Sequence, residues 1–103
     1  MYKLITIYWR DIPSQVIGRK GRKSAVKQTL SPRFEKAIDR AAMRAGRGSS
    51  DAYLADWRRV SQPCDANLAE AVTAEVDRLE HEFPSDVLER VVRAGGLAEE
   101  GGG

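Results

Sequence analysis

The two halves of this chain carry opposite charge. Residues 1–50 contain twelve Lys and Arg against three acids, whereas residues 51–103 contain five Arg against twelve acids. The nearly neutral total of +2 conceals this division. A chain polarised in this way either folds its halves against each other or presents one half to an outside partner. The sequence leaves both possibilities open.

The length limits the architecture. With 103 residues the chain is expected to form one domain over residues 1–96, followed by a disordered tail at 97–103. No stretch approaches the roughly twenty apolar residues of a membrane span, and the N-terminus lacks the pattern of a secretory signal. The lone cysteine, Cys64, excludes an intramolecular disulfide. We therefore expect a cytoplasmic protein without membrane association.

β-Branched and aromatic residues dominate the first ten positions and predict a strand over residues 2–10. Both faces of this strand are apolar, with Ile5, Ile7 and Trp9 on one of them. That pattern is typical of a strand covered on two sides or placed at a subunit interface. A turn at 11–14 and a second strand over 15–20 would complete an antiparallel hairpin.

The segment 53–61 predicts a third strand, with a helical turn at 51–54 as the alternative. Helical signals are clearer elsewhere. Ser31 is a favourable N-cap for a helix that ends near residue 45. A second helix begins after Asp65 or Asn67 and ends near residue 82, and a third covers 85–94. The predicted fold class is α+β, with a small antiparallel sheet covered by about three helices.

A row of basic residues follows one side of the first helix. Such a row, beside the apolar stripe of the helix, suits docking of a partner that carries carboxylates or phosphates. It is also typical of a solvated face that is paired in part with the acidic second half. The α1 stripe, as we call it below, recurs at spacings of three and four positions and consists of Arg33, Lys36, Arg40, Arg44 and Arg47.

In two other patterns, basic residues lie beside tryptophans or beside glycines. Trp-Arg-Asp at 9–11 and Trp-Arg-Arg at 57–59 would, on neighbouring strands, form a cluster open to cation–π contact and able to hold an acidic ligand. The ordinary interpretation is two core tryptophans with flanking surface charges. The tandem Gly-Arg-Lys at 18–23 is a weak nucleic-acid signal, because no aromatic side chain is interleaved for base stacking.

Recognisable catalytic and metal-binding motifs are absent from the sequence. His81 stands between two glutamates without a second His or Cys at a ligand spacing, so neither a metal nor another cofactor is expected. Asp65 argues against a reactive thiolate at Cys64, whereas a helix N-terminus just after it acts in the other direction. A small enzyme that uses Asp11 or His81 as an acid or base is kept as an alternative.

Five strings of residues carry a family resemblance. They are Tyr-Trp-Arg-Asp-Ile-Pro at 8–13, Gln-Val-Ile at 15–17, Gly-Arg-Lys at 21–23, Phe-Glu-Lys-Ala-Ile-Asp-Arg-Ala-Ala-Met at 34–43 and Tyr-Leu-Ala-Asp-Trp-Arg-Arg at 53–59. Together they resemble a small bacterial family labelled "virulence factor". No established catalytic residues can be carried over. The resemblance implies a companion of folate- and corrinoid-dependent one-carbon proteins.

These observations favour a non-catalytic accessory subunit that docks an acidic protein partner, or a larger enzyme complex, through its basic helix face. One-carbon metabolism is the setting that the resemblance implies. The alternative is a nucleic-acid-binding module that uses the basic hairpin and helix. The expected contact residues are Trp9, Arg10, Asp11, Arg33, Lys36, Arg40, Arg44, Trp57 and Arg58.

Overall fold

Four antiparallel strands form one sheet, and helices pack on it. A computed structural model describes residues 1–46 and 50–97, so Arg47 and residues 98–103 of the predicted tail lie outside the described residues. The strand order is β3-β2-β1-β4, and the α+β prediction is confirmed. In chain order the elements are β1 (Tyr2–Trp9), β2 (Ile12–Lys20), β3 (Lys23–Thr29), α1 (Pro32–Arg44), α2 (Ser50–Ala55), β4 (Trp57–Pro63), α3 (Leu68–Glu82) and α4 (Ser85–Arg93).

The β1–β2 hairpin has a shorter turn than predicted. Arg10 and Asp11 alone separate the strands, and Ile12 and Pro13 belong to β2. The pairing register shifts after Ile7, and this β-bulge accommodates the proline, which has no N–H for the strand ladder. Arg10 has a φ of 53°, a conformation that a non-glycine residue keeps only when its surroundings hold it.

The sequence does not predict β3. Its side chains are exposed apart from the half-buried Val26, so no apolar alternation marks the strand. It lies at an edge of the sheet and follows β2 after the two-residue turn Gly21-Arg22. Gly21 has a φ of 60°, as expected for hairpin turns that begin with glycine. The tandem Gly-Arg-Lys therefore contains the turn of a second hairpin.

The segment after α1 combines both predicted alternatives. α2 occupies Ser50–Ala55, and β4 begins at Trp57, so the strand prediction is right from that residue onward and wrong for 53–56. β4 pairs with β1, which places Trp57 opposite Trp9. Within α2, Tyr53 stacks on the Trp9 ring at a centroid distance of 5.8 Å, which packs the helical turn against the end of the sheet.

α3 lies directly on β2. Its N-cap is Asn67, one of the two predicted residues, whose side chain accepts a hydrogen bond from the backbone N–H of Glu70. A Cβ built on Gly18 would lie 3.0 Å from Val72 of α3. Glycine at this position lets helix and sheet approach each other, and α3 covers the face of the sheet that Gly18 belongs to.

α1 and α4 pack against each other beside the β1–β2 turn. Trp9 and Phe34 are the largest of the fully buried side chains in the core. After α4 the chain returns over the Trp9 ring, and the Gly96 carbonyl accepts a hydrogen bond of 2.9 Å from the Asp11 N–H. The acidic half of the chain is thus folded against the basic half, the first of the two possibilities that the charge division allows.

Candidate docking surface

Trp9, one of the predicted contact residues, lies in the core. It is 0% exposed, and its indole Nε1 donates a hydrogen bond of 2.8 Å to the Tyr53 carbonyl. Trp57 stands beside it on β4, is half-buried, and meets the Tyr53 ring edge-on at 5.7 Å. The two tryptophans are brought together as the sequence suggested, but only Trp57 keeps surface that a partner could reach.

Three more of the predicted residues bind the chain itself around the β1–β2 turn. Arg10 Nε lies 3.1 Å from Asp56 Oδ2, and Arg10 Nη1 donates to the Gly95 carbonyl at 3.0 Å. Arg58 donates to the Arg10 carbonyl at 2.8 Å and to Asp11 Oδ1 at 3.1 Å. These contacts join the turn to the start of β4 and to the chain after α4, and they hold Arg10 in its unusual conformation.

Arg33, the first member of the α1 stripe, connects the start of α1 to the end of α3. Its guanidinium lies 2.9 Å from Glu80 Oε1 and donates to the carbonyl oxygens of Glu80 and Phe83. The same carboxylate accepts hydrogen bonds from the backbone N–H and the hydroxyl of Ser31, at 2.7 and 2.9 Å. The negative charge of this carboxylate, beside the N-terminus of α1, also interacts favourably with the helix dipole.

Arg40 and Arg44 of the stripe connect α1 to α4. Arg40 makes two hydrogen bonds, of 3.0 and 3.1 Å, with the Glu89 carboxylate, and this pairing raises the pKa of Arg40 and lowers that of Glu89. Arg44 donates to the Arg93 carbonyl. Lys36 is exposed, and no carboxylate within the described ranges forms an ion pair with it. Docking through the stripe stays a prediction, but most of its arginines already join the two halves of the chain.

Cations that the chain does not neutralise lie on the other face of the sheet. Ile5 pairs with Ile17 on one side and with Ser61 on the other, and paired residues share a face. α3 packs on the opposite face, where Gly18 lies. We define the open face as the set Lys3, Ile5, Ile7, Gln15, Ile17, Arg19, Lys27, Thr29, Arg59 and Ser61.

Three isoleucines form the floor of the open face. Ile5, Ile7 and Ile17 lie outside the hydrophobic core, although Ile5 is only 3% exposed. Ile5 shares a surface cavity with Arg19 and Arg59, among others, and the aliphatic stems of such long side chains cover apolar floors readily. None of the three isoleucines belongs to the cluster of buried side chains that the described helices and the sheet form together.

The sheet carries charge of a single sign. β1 to β4 contain seven Lys and Arg and no Asp or Glu. Four of the seven, Lys3, Arg19, Lys27 and Arg59, lie on the open face. Across residues 1–46 and 50–97, no carboxylate forms an ion pair with any of these four. Four of the cations that no described carboxylate pairs therefore share one face of the sheet.

None of these four cations is among the contact residues predicted from the sequence. The available signal is the apolar character of both sides of β1, which indicates a strand covered twice or placed at an interface. Ile5 and Ile7 belong to the side of β1 that faces away from α3 and lie outside the core cluster. Lys27 and Arg59 join them only through the strand register, which the sequence does not reveal.

The enzyme alternative has a weak geometric basis. His81 lies in a shallow depression beside Glu80 and Ser85, and its Nδ1 is 3.1 Å from the Asp77 carbonyl oxygen. The Glu80 carboxylate, however, is already bound by Ser31 and Arg33, so it is not available to orient the imidazole. The other candidate acid, at position 11, is paired with an arginine of β4.

Neither thiol nor metal chemistry gains support from the described residues. Burial raises the pKa of the Cys64 thiol, and Asp65 raises it further, so the thiolate is disfavoured at neutral pH. Among residues 1–46 and 50–97, no three His, Cys, Asp or Glu side chains are grouped so as to hold a metal ion.

Comparison with known proteins identifies the family to which the chain belongs. The model of the family described as "Virulence factor" matches residues 7–92. The chain therefore belongs to the Virulence factor family, and the resemblance seen in its sequence is confirmed. No curated protein and no solved structure matches the chain. Among the described residues, no helix combines the length and apolar character needed to cross a membrane.

Proposed function

We propose that this protein is a non-catalytic accessory subunit that docks an acidic protein partner through the open face of its sheet. One observation carries the proposal: four cations that form no ion pair with a carboxylate of residues 1–46 or 50–97 surround an isoleucine floor on strands without acids. Complementary charge steers association and selects partners, while apolar area supplies affinity. The proposed contact surface is thus the sheet and not the α1 stripe, of which Arg33, Arg40 and Arg44 bind the chain itself.

The composition of the floor favours a protein over a nucleic acid. Sheets that bind single-stranded nucleic acids present aromatic rings on which bases stack. Here the floor consists of Ile5, Ile7 and Ile17, and the aromatic Trp57 lies at its border against Tyr53. Aliphatic side chains suit an apolar patch of a protein, and the surrounding cations suit acidic side chains at its rim.

The class of partner is also part of the proposal. The family resemblance suggests folate- or corrinoid-dependent one-carbon proteins, and we place the partner among them. This part rests on resemblance alone. If the open face retains partners but none is of this class, the one-carbon setting falls and docking through the sheet stands.

Two double variants test the docking surface. Lys27→Glu with Arg59→Glu reverses charge on the open face. Lys36→Glu with Arg90→Glu makes the same change in net charge at exposed helical positions outside it. Each immobilised variant would be incubated with nuclease-treated lysate of the source organism, and captured proteins would be quantified by mass spectrometry relative to the wild type. Circular dichroism would verify that both variants are folded.

We expect the open-face variant to lose acidic partners by about tenfold or more, whereas the helical variant retains them. Equal capture by both variants would contradict docking through the sheet. Loss in the helical variant alone would support the α1 stripe instead, through Lys36. A nucleic-acid function would show as anisotropy changes with labelled RNA or DNA that fall steeply with salt, and as proteins captured from untreated lysate but not from nuclease-treated lysate.

A further inference from the structure

A cavity of about 330 Å³ lies at one corner of the open face, beside the β2–β3 turn. Its lining contains no acidic residue. Ile5 and Gly21 contribute apolar surface, and Ser61 contributes a hydroxyl group. The remaining lining residues are all cations, namely Lys3, Arg19, Arg22 and Arg59. Four positive charges around one small cavity attract an anion strongly.

The strand pairing at this corner is unfavourable for stability alone. Lys3 and Arg19 occupy directly opposite positions of β1 and β2. Like charges that face each other across two strands destabilise a sheet, and an acid at either position would remove the repulsion. No carboxylate within residues 1–46 and 50–97 forms an ion pair with either side chain. An anion that occupies the corner would relieve the repulsion.

Arg19 also lacks a hydrogen-bond partner that such an anion would supply. Its Nη2 donates to the Arg22 carbonyl at 2.6 Å, which fixes the guanidinium at the cavity. Its Nε is shielded from solvent and has no acceptor among the described residues. Shielded donors in proteins are nearly always paired, so an unpaired one at a ligand cavity indicates a missing acceptor.

We propose that this corner binds an oxyanion, either a phosphoryl group or a carboxylate, with Arg19 as its principal donor. The guanidinium suits both, because its planar N–H groups match the oxygens of phosphate and carboxylate. Lys3, Arg22 and Arg59 add charge. The inference deepens the proposed function, on which it rests for its biological meaning, since the oxyanion would be the group by which the partner is anchored.

Nuclear magnetic resonance of the arginine Nε–Hε groups tests the site in the folded protein. Inorganic phosphate and acetate would be added separately at constant ionic strength, with chloride as the balancing anion. We expect the Arg19 signal to shift and saturate with phosphate. The Arg78 signal serves as an internal control, because Glu75 and Glu82 already bind that guanidinium. A linear, unsaturated shift of the Arg19 signal with both anions, or equal shifts of the Arg19 and Arg78 signals, would overturn the site.

Two variants sharpen the test. Arg19→Gln should reduce phosphate affinity by about tenfold or more, whereas Arg90→Gln, an equal loss of charge at an exposed position of α4, should leave it unchanged. Phosphate should also raise the melting temperature of the wild type but not of Arg19→Gln, which is expected to fold because it removes a like-charge contact. Equal phosphate affinity in both variants would contradict the proposal.

The acetate titration separates the two sources of the oxyanion. If acetate as well as phosphate saturates the shift of the Arg19 signal, the site accepts the carboxylates of an acidic protein. Saturation with phosphate alone assigns a phosphoryl group. The outcome is also separable from the docking proposal: if phosphate binds at Arg19 but charge reversal at Lys27 and Arg59 leaves partner capture unchanged, the oxyanion site stands and docking falls. If charge reversal abolishes capture but phosphate does not bind, docking stands and the oxyanion site falls.

Discussion

The contacts of Arg33 predict that this residue stabilises the fold and takes no part in docking. Arg33→Met would remove the guanidinium but keep the length of the side chain, leaving Glu80 with Ser31 as its hydrogen-bond partner. A hydrogen bond to a charged group contributes about 1.5–3 kcal/mol when it is well buried. Arg33 and Glu80 are 34% and 25% exposed, so screening reduces this value, and we expect the free energy of unfolding to fall by about 1–2 kcal/mol.

Arg40→Met is the matched control. Arg40 belongs to the same stripe and also makes two hydrogen bonds with a carboxylate, but its side chain is 59% exposed. Exposed ion pairs contribute little to stability, because water and salt screen them. The free energy of unfolding of this variant should therefore stay close to that of the wild type, and clearly above that of Arg33→Met.

Urea denaturation followed by circular dichroism measures both changes, provided that the variants share the denaturant slope of the wild type. Partner capture by immobilised Arg33→Met should equal that of the wild type. A loss of stability no larger in Arg33→Met than in Arg40→Met would refute the assignment of Arg33 to the fold. Unchanged stability together with lost capture would return the docking role to the α1 stripe.

Two further predictions concern a glycine and a strand pair. Gly96→Ala should lower stability by about 2–4 kcal/mol, because φ is 95° and the new Cβ would lie 2.8 Å from the Trp9 ring. In Gly46→Ala, φ is 73° and the new Cβ would meet open space, so this variant should lose only the stability that the left-handed backbone conformation costs an alanine. Equal losses in the two variants on thermal denaturation would contradict the clash between position 96 and Trp9. Lys3→Glu should raise stability by about 0.2–1 kcal/mol by pairing with Arg19, while weakening partner capture. Lys27→Glu should weaken partner capture without raising stability, because the residue opposite it is Ile17. A Lys3→Glu variant that keeps full capture would count against docking through the open face.

The sequence predicts those parts of the fold that have strong local signals. The helix boundaries follow from caps such as Asn67, and the hairpin follows from the β-branched run of β1. β3 carries no such signal, because only Val26 of its seven residues is even half-buried. Its pairing depends on the Gly21 turn, whose neighbouring charges suggest a polyanion-binding run when they are considered without the strand. The stacking of Tyr53 on Trp9, which packs α2 against the end of the sheet, is a contact over 44 positions that local pattern cannot show.

The candidate site is less predictable than the fold, because charge alone does not reveal which cations are paired. Arg33 and Lys27 look alike in the sequence, yet one is bound by Glu80 and the other faces solvent on a sheet without acids. The difference depends on which elements meet, and Glu80 lies 47 positions beyond Arg33. The apolar character of both faces of β1 anticipates the open face, and the tandem Gly-Arg-Lys contains Arg19 and Arg22. Neither pattern identifies Lys3 and Arg59, which join them beside Ile5.

A solubility role for the open-face cations does not explain why their sign is uniform. Basic residues, lysine above all, protect exposed strand edges, which accounts for Lys27 on β3 and Arg59 on β4 but not for Lys3 and Arg19 on the inner strands. For overall solubility, acids are somewhat better than bases. The chain has fifteen acids, yet none lies in the four strands, even where Lys3 and Arg19 repel each other. A uniform sign kept at the expense of stability is instead what complementarity to a negatively charged partner requires. We therefore expect the basic residues to form two groups. Arg33, Arg40 and Arg44 join the two halves of the chain, and the open-face residues Lys3, Arg19, Lys27 and Arg59 bind the partner.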